Sequence, residues 1–144
     1  MSTGSRRSGR AYALQLLYAR DGDPATDVAD AASAWAEAFD IELDPSAQAF
    51  ARELVAAAAE RAARVDELIA GASKNWRIDR MSRVDRNILR LGACELVAFR
   101  EVPVKVVINE AVELAKRFGT AESSAFVNGV LDRIATAVGR HPED

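Results

Sequence analysis

The feature that most constrains the fold is a pair of amphipathic segments within Val102–Gly139. The first begins with Pro103, which a helix tolerates in its first turn because its missing N–H would have no intrahelical partner there. Apolar residues then recur at three- and four-residue steps until Gly119, which is expected to end the helix in the left-handed region. The second segment repeats this pattern, with Thr120 as its predicted cap. Two long helices joined by about four residues lie antiparallel, so the sequence predicts a helical hairpin.

Helical periodicity also dominates the rest of the chain, and no segment alternates apolar and polar residues as a strand does. Ser82 and Asp85 resemble a capping box that opens a broad apolar helix, suited to the centre of a bundle. The periodicity leaves open whether residues 65–72 continue the preceding helix or form a separate one after a break near 61–64. The sequence therefore predicts an all-α fold. The expected helices before the hairpin cover about 9–21, 25–39, the stretch that begins after Asp44 and Pro45, and the stretch that follows Ser82.

Composition narrows the class of protein further. A chain of 144 residues is long enough for one domain with a real core. It contains no run approaching the roughly 20 apolar residues of a membrane span, and its basic N-terminus lacks the hydrophobic run of a secretory signal. The single cysteine, Cys94, excludes an internal disulfide and fits a reducing compartment. We therefore expect a soluble cytoplasmic protein in which Cys94 is a small core residue.

Charge is distributed unevenly along the chain. The first 20 residues carry four arginines and no carboxylate, a local charge of +4, whereas the net charge of −3 leaves the remainder at −7. An acidic body argues against a general coat for nucleic acid, but the basic segment could hold one strand at one place. Residues 1–8 contain nothing to bury, so we expect a flexible leader.

Signatures of catalysis are missing from the sequence. The only histidine, His141, lies in a polar tail with no second residue to orient it as a base. One histidine and one apolar-flanked cysteine make a metal cluster implausible, and no phosphate-binding loop is present. Glu110 and Glu113 are expected on a solvated helix face. The sequence thus predicts no catalytic residues, no metal and no cofactor.

Binding is the remaining class of function. Arginine offers a planar, permanently charged fork suited to phosphate, and Gln15 and Tyr18 follow the leader at about one helical turn and more beyond Arg10. Aromatic and amide side chains are typical of sites that stack on or hydrogen-bond to RNA bases. In the competing interpretation Tyr18 belongs to the core and the arginines only solubilise the chain, and the residues alone favour neither.

Four motifs add a family resemblance. S-R-R-S-G-R-A-Y-A-L-Q-L-L-Y at 5–18, D-R-N-I-L-R-L-G-A-C-E-L at 85–96, V-P-V-K-V-V-I-N-E-A-V-E-L-A-K-R-F-G at 102–119 and F-V-N-G-V-L-D at 126–132 closely resemble the NusB family of transcription antitermination factors. The resemblance implies two packed three-helix bundles with about six or seven helices in all. The expected division is a flexible arginine-rich leader over 1–8, a single helical domain over 9–138 with sub-bundles at 9–73 and 79–138, and a tail over 139–144.

The resemblance also implies a function. Members of this family bind the boxA element of nascent ribosomal RNA leaders together with NusE, a small-subunit ribosomal protein, in a complex with RNA polymerase. The expected NusE-facing residues are Asp79, Asp85 and Arg86. The expected RNA-binding residues are Arg6, Arg7, Arg10, Gln15 and Tyr18, with Glu122, Ser123 and Phe126 at the start of the last helix.

An alternative from another class is a non-catalytic helical adaptor or self-associating bundle whose leader does not bind RNA. It rests on large aromatic residues, Trp35, Phe39 and Trp76, which could be exposed and support a homodimer.

Overall fold

The computed structural model of the chain describes residues 3–23, 25, 37, 44–74, 76–141 and 143. All regular structure in these residues is helical, which confirms the predicted all-α class. The helix expected over 25–39, with Trp35 and Phe39, falls outside them apart from positions 25 and 37. No helix in this part of the chain is long and apolar enough to cross a membrane. The helices are α1 (Thr3–Gly22), α2 (Pro45–Glu60), α3 (Ala62–Ala72), a short 3-10 helix (Ile78–Arg80), α4 (Arg83–Ala98), α5 (Val104–Phe118) and α6 (Ser123–Ala137).

The chain divides into two compact units, Met1–Ala56 and Ala57–Asp144. The division falls inside α2, earlier than the sequence-based division at 73–79. The reason is that α3 packs on α4 and α6 and therefore belongs with the second unit.

The start of α1 differs from the sequence-based expectation. The helix begins at Thr3, so the predicted start at Gly9 was wrong, and residues 3–8 of the leader are helical. Short polar segments rarely sustain a helix alone, because nucleation is costly and most helical stability comes from tertiary packing. Here Asp44, immediately before α2, supplies a tertiary contact, since the Ser5 hydroxyl donates to Asp44 Oδ2 at 3.0 Å.

A side-chain hydrogen bond marks the start of α2, and a break in helical geometry marks its end. Asp44 caps the helix, because its Oδ1 accepts the Ala47 N–H at 2.8 Å. The helix ends at Glu60, and Arg61 leaves helical geometry with φ −113° and ψ 17°. Residues 65–72 consequently belong to a separate helix, α3, which resolves the alternative that the periodicity left open.

Helix α4 is the centre of the second unit, as its broad apolar surface predicts. It packs against α3, α5 and α6. Its first turn is capped as expected, because the Asp85 N–H donates to Ser82 Oγ at 3.1 Å. Arg133 of α6 adds a long-range tie by donating from Nε to Ala72 O, at the end of α3, at 2.6 Å. Side chains of α4 that are at most 2 % exposed are Asn87, Ile88, Leu89, Leu91, Ala93, Cys94, Glu95 and Leu96.

Helices α5 and α6 contact each other and form the predicted hairpin. Gly119 ends α5 with φ −98°, so the expectation of a left-handed residue was wrong. Glycine is needed there for space, because an added Cβ would lie 2.5 Å from Ser123 Oγ and 2.8 Å from Ala115 O. The left-handed glycine is Gly139, with φ 76°.

Arg140 lies beyond α6, in the segment expected to be a polar tail, yet it is only 2 % exposed. Its guanidinium donates to the carbonyl oxygens of Leu96 at 3.2 Å, Arg100 at 3.1 Å and Val102 at 2.7 Å. The last carbonyls of a helix lack intrahelical partners and carry the negative end of its dipole. Arg140 therefore caps the C-terminal end of α4 and stabilises the turn into α5.

We expect Gly92→Ala to lower the free energy of unfolding by about 1–3 kcal/mol, because the core has no room for a methyl group there. Its Cβ would lie 2.7 Å from Leu131 Cδ1, and Leu131 is fully buried and cannot move aside cheaply. Urea unfolding followed by circular dichroism measures the change.

The matched control is Gly71→Ala in α3, where an added Cβ has no neighbour within 4 Å. It should be neutral or stabilise the protein by up to about 1 kcal/mol through helix propensity. Equal unfolding free energies for Gly92→Ala and the unaltered protein would contradict the tight packing of α4.

Candidate RNA-binding site

The first half of α1 carries Arg6, Arg7 and Arg10, and their environments differ. Arg7 is exposed, and Arg6 is partly buried. Arg10 is only 3 % exposed. In the sequence these arginines form one group because they share a positive charge. In the helix their side chains project in different directions and therefore differ in exposure.

Arg6 and Arg10 share one aromatic ring. Their guanidinium carbons lie 5.1 Å and 5.3 Å from the centre of the Phe50 ring of α2, within the range of cation–π attraction. Arg6 and Arg10 are four residues apart, so they occupy the same side of α1 in successive turns. Sequence reasoning missed Phe50 as part of this site, because the contact joins two helices distant in the chain.

Gln15 and Tyr18 continue along α1 from Arg7. Arg7 and Tyr18 are 11 residues apart, close to three helical turns or about 16 Å, and they therefore share one side of the helix. Gln15 lies within about 60° of Tyr18 around the axis. Both are partly buried, so each presents part of its side chain to solvent. The structure thus places a charged, an amide and an aromatic group along one side of α1.

The predicted residues at the start of α6 have distinct roles. Ser123 is 1 % exposed, and its Oγ accepts the Thr120 N–H at 2.9 Å, so it closes the α5–α6 turn. The predicted cap, Thr120, precedes the helix by three positions and donates from Oγ1 to Glu122 Oε2 at 3.2 Å. Glu122 is exposed beside the positive end of α6, and Phe126 is partly buried. These residues belong to the second compact unit, and those of α1 to the first.

The predicted partner-binding residues surround the 3-10 helix. Asp79 is exposed and pairs with Arg77 at 3.1 Å. Asp85 has a buried Oδ1 that accepts no hydrogen bond. Arg86 donates from Nη1 to Ile78 O at 3.2 Å and Met81 O at 3.4 Å, which ties the 3-10 helix to α4. Arg86 therefore stabilises the link between α3 and α4 (residues 73–82) as well as contributing charge.

Trp76 is the most prominent feature of the same link, with 58 % of its surface exposed. Ser73 fixes its backbone from both sides, because the Trp76 N–H donates to Ser73 O at 2.7 Å and Ser73 Oγ donates to Trp76 O at 2.9 Å. Ser73 is itself buried. The exposure of Trp76 agrees with the expectation for it, and the indole is presented from a fixed backbone.

Among the described residues, the side chains that could act in catalysis or bind a metal do not come together in one site. No three His, Cys, Asp or Glu side chains there come together as metal ligands. Glu110 is buried and Glu113 exposed, so the expectation that both lie on a solvated face was wrong for Glu110. Burial raises the pKa of the Cys94 thiol to about 11, and the positive charge of Arg61 only partly opposes this rise. Cys94 is therefore a protonated core residue at neutral pH.

Comparison with known proteins decides the family. The model of the NusB family matches residues 7–136. The chain belongs to the NusB family. This confirms the resemblance carried by the four motifs.

Individual NusB relatives cover nearly the whole chain. The transcription antitermination protein NusB of Sorangium cellulosum is 52 % identical over 141 residues, which span 98 % of this chain and 99 % of the relative. That of Myxococcus xanthus is 52 % identical over 138 residues, spanning 95 % and 99 %.

Solved structures of NusB proteins superimpose on this chain. Thermotoga maritima NusB superimposes with a TM-score of 0.77 at 35 % identity, covering 91 % of this chain and 90 % of that one. The crystal structure of the antitermination factors NusB and NusE in complex with dsRNA gives a TM-score of 0.78 at 28 % identity, covering 94 % and 99 %.

We expect Cys94 to resist thiol reagents in the folded protein. Raising the pKa from 9.0 to about 11 lowers the thiolate fraction at pH 8 about a hundredfold, and burial slows access further. Reaction with a chromogenic disulfide reagent, with and without denaturant, measures this. Because Cys94 is the only cysteine, the signal has one source. Equal rates in the two conditions would contradict the buried environment.

Proposed function

We propose that this chain is an RNA-binding transcription antitermination factor. It binds the boxA element of nascent ribosomal RNA leaders together with ribosomal protein NusE, and it promotes processive transcription of ribosomal RNA within an RNA polymerase complex in the cytoplasm. The observation that carries the proposal is similarity over 94 % of the chain to a NusB solved with NusE and dsRNA. The 52 % identical relatives named transcription antitermination proteins support it.

The proposed role is one of binding, without a catalytic step. The protonated state of Cys94 and the lack of a metal-ligand cluster in the described residues are compatible with it. A rigid helical body that presents charged and aromatic side chains is sufficient for the function, because specific RNA binding needs positioned contacts rather than bond chemistry.

The RNA-binding surface is proposed to centre on one side of α1. Arg7 is exposed and supplies a phosphate contact, and Arg6 adds charge beside it. Gln15 offers hydrogen bonds to base edges, and the exposed part of Tyr18 offers a face for stacking. Arg10 is buried on Phe50, so its proposed contribution is to hold α1 in place.

The start of α6 is proposed as a second contact region. Phe126 offers an aromatic surface, and Glu122 can accept hydrogen bonds from base amino groups while repelling phosphate. Ser123 is buried in the turn, and its proposed contribution is to set the direction of that turn.

The NusE-binding surface is proposed to lie on the link that carries Trp76, with Asp79, Asp85 and Arg86 around it. Residues 74–80 contain three cationic side chains and one carboxylate, so the link is basic although the body of the chain is acidic. Charge attraction to a basic ribosomal protein is therefore weak here. Trp76 supplies the apolar anchor instead, since tryptophan and arginine are enriched in residues that dominate binding energy.

A titration separates this function from the alternative of an adaptor or self-associating bundle. Full-length protein is titrated into a boxA-containing single-stranded RNA and into a scrambled RNA of equal composition, with and without purified NusE. Preference for the boxA sequence, enhanced by NusE, is expected. Equal affinity for both RNAs together with a homodimer in analytical ultracentrifugation would favour the alternative, for which the exposed Trp76 is the structural argument.

We expect Arg7→Ala to weaken boxA binding and to flatten its salt dependence. One lost phosphate contact on a single strand reduces the slope of log affinity against log salt by about 0.7. Fluorescence anisotropy at several salt concentrations gives both quantities.

The matched control is Arg20→Ala, which removes the same charge from the same helix. Arg20 is exposed and lies 13 residues after Arg7, about 220° around the axis, so it faces a different side. Its slope should equal that of the unaltered protein. A slope that falls equally in both variants would show that only overall charge matters.

We expect Trp76→Ala to weaken NusE binding about tenfold or more, as for a central interface aromatic. Val106→Ala is the control, because Val106 is the other exposed large hydrophobic residue among those described and lies on α5. Isothermal titration calorimetry with purified NusE gives both affinities. Unchanged binding by Trp76→Ala would place the interface elsewhere.

A further inference from the structure

Residues 5–10 of α1, here called the arginine segment, pack closely against α2. We call this contact the seam. Gly9 lies at its centre, where an added Cβ would be 2.9 Å from Ala47 O and 2.9 Å from Phe50 Cδ2. Ala47 and Phe50 are both buried. Any side chain at position 9 would force the helices apart, so glycine allows the backbone of α1 to lie directly on α2.

Two kinds of contact hold the seam on either side of Gly9. Arg6 and Arg10 are one helical turn apart, and their guanidinium carbons lie 5.1 Å and 5.3 Å from the centre of the Phe50 ring. Asp44 acts with both carboxylate oxygens, because Oδ1 caps α2 through the Ala47 N–H and Oδ2 accepts the Ser5 hydroxyl. One carboxylate therefore fixes the start of α2 and the arginine segment to each other.

The segment has little means of folding alone. Residues 2–10 are serine, threonine, glycine and arginine and contain no apolar side chain. Such a composition cannot offset the entropy of ordering unless a neighbour contributes contacts. The contacts with Phe50 and Asp44 are of that kind, and they orient Arg6 and Arg10 toward α2. Arg7 is one position further, about 100° around the axis, and is exposed.

We propose that Phe50 and Asp44 are positioning residues for RNA binding: they hold residues 5–10 as a helix before RNA arrives and so fix the direction of Arg7. This inference rests on the proposed function and extends it to residues that do not contact the RNA themselves. A segment ordered in advance loses less conformational entropy on binding, and the affinity is correspondingly higher. The number of phosphate contacts is unaffected.

The primary test is Phe50→Leu in the full chain, with the boxA-containing single-stranded RNA as the probe. Leucine keeps the site apolar but removes the ring face. We expect the affinity for RNA to fall about threefold to tenfold, because two partly buried cation–π contacts are lost. The slope of log affinity against log salt should stay unchanged. Arg7→Ala, by contrast, lowers the slope. Amide hydrogen exchange without RNA should become faster at residues 5–10.

Phe50→Tyr is the rescue variant, because it keeps the ring and should bind within about twofold of the unaltered protein. Leu54→Val controls for loss of core packing. Leu54 is buried one turn further along α2, and its truncation should lower stability while leaving RNA affinity unchanged.

Ser5→Ala tests the Asp44 contact without disturbing the cap of α2. Alanine has the higher helix propensity, so faster exchange or weaker binding in this variant comes from the lost hydrogen bond and not from propensity. We expect both effects, smaller than those of Phe50→Leu.

The outcomes separate the two proposals. If the unaltered protein binds the RNA and Phe50→Leu binds it equally well, the positioning role is overturned while the proposed function stands. Equal losses in Phe50→Leu and Leu54→Val would also overturn it, since general destabilisation would then explain the effect. Absence of RNA binding by the unaltered protein, with and without NusE, would overturn the proposed function and this inference together.

Discussion

The second compact unit depends on the burial of one helix, α4, by three neighbours. Fully buried leucine and isoleucine side chains each contribute roughly 1.5–3 kcal/mol relative to exposure, and α4 supplies several of them. Gly92 lets Leu131 of α6 approach the helix axis, while Arg140 satisfies the carbonyl groups at the far end. The α5–α6 hairpin and α3 therefore take their positions from the same central surface, and so does the link that carries Trp76.

The first unit differs, because its polar N-terminal segment depends on a neighbouring helix to become helical. Residues before Gly9 have no apolar stripe, yet α1 includes them from Thr3. Phe50 stacks under two guanidinium groups, and Asp44 joins the start of α2 to Ser5. A surface proposed to bind RNA is thus supported by residues that carry no positive charge themselves, and a search for basic residues alone would overlook them.

The sequence predicted those features that depend on residues close together in the chain. The α5–α6 hairpin and the helix start at Ser82 both rest on patterns within a few positions. It did not predict features formed by distant residues. The early start of α1, the burial of Arg10 on Phe50 and the burial of Arg140 require partners about 40 positions away. The candidate NusE contacts and the residues at the start of α6 came only from the family resemblance, because binding residues leave no periodic signal of their own.

The hydrogen bond from Arg133 to the carbonyl of Ala72 has a consequence for the order of assembly. It joins residues 61 positions apart, so it forms only after a large loop has closed. The α5–α6 hairpin, in contrast, closes across four residues, Gly119–Glu122. Since local contacts form faster than remote ones, the hairpin is expected to form early in folding and the contact between α3 and α6 late. Slowed folding should therefore follow from weakening the hairpin, and faster unfolding from weakening the α3 contact.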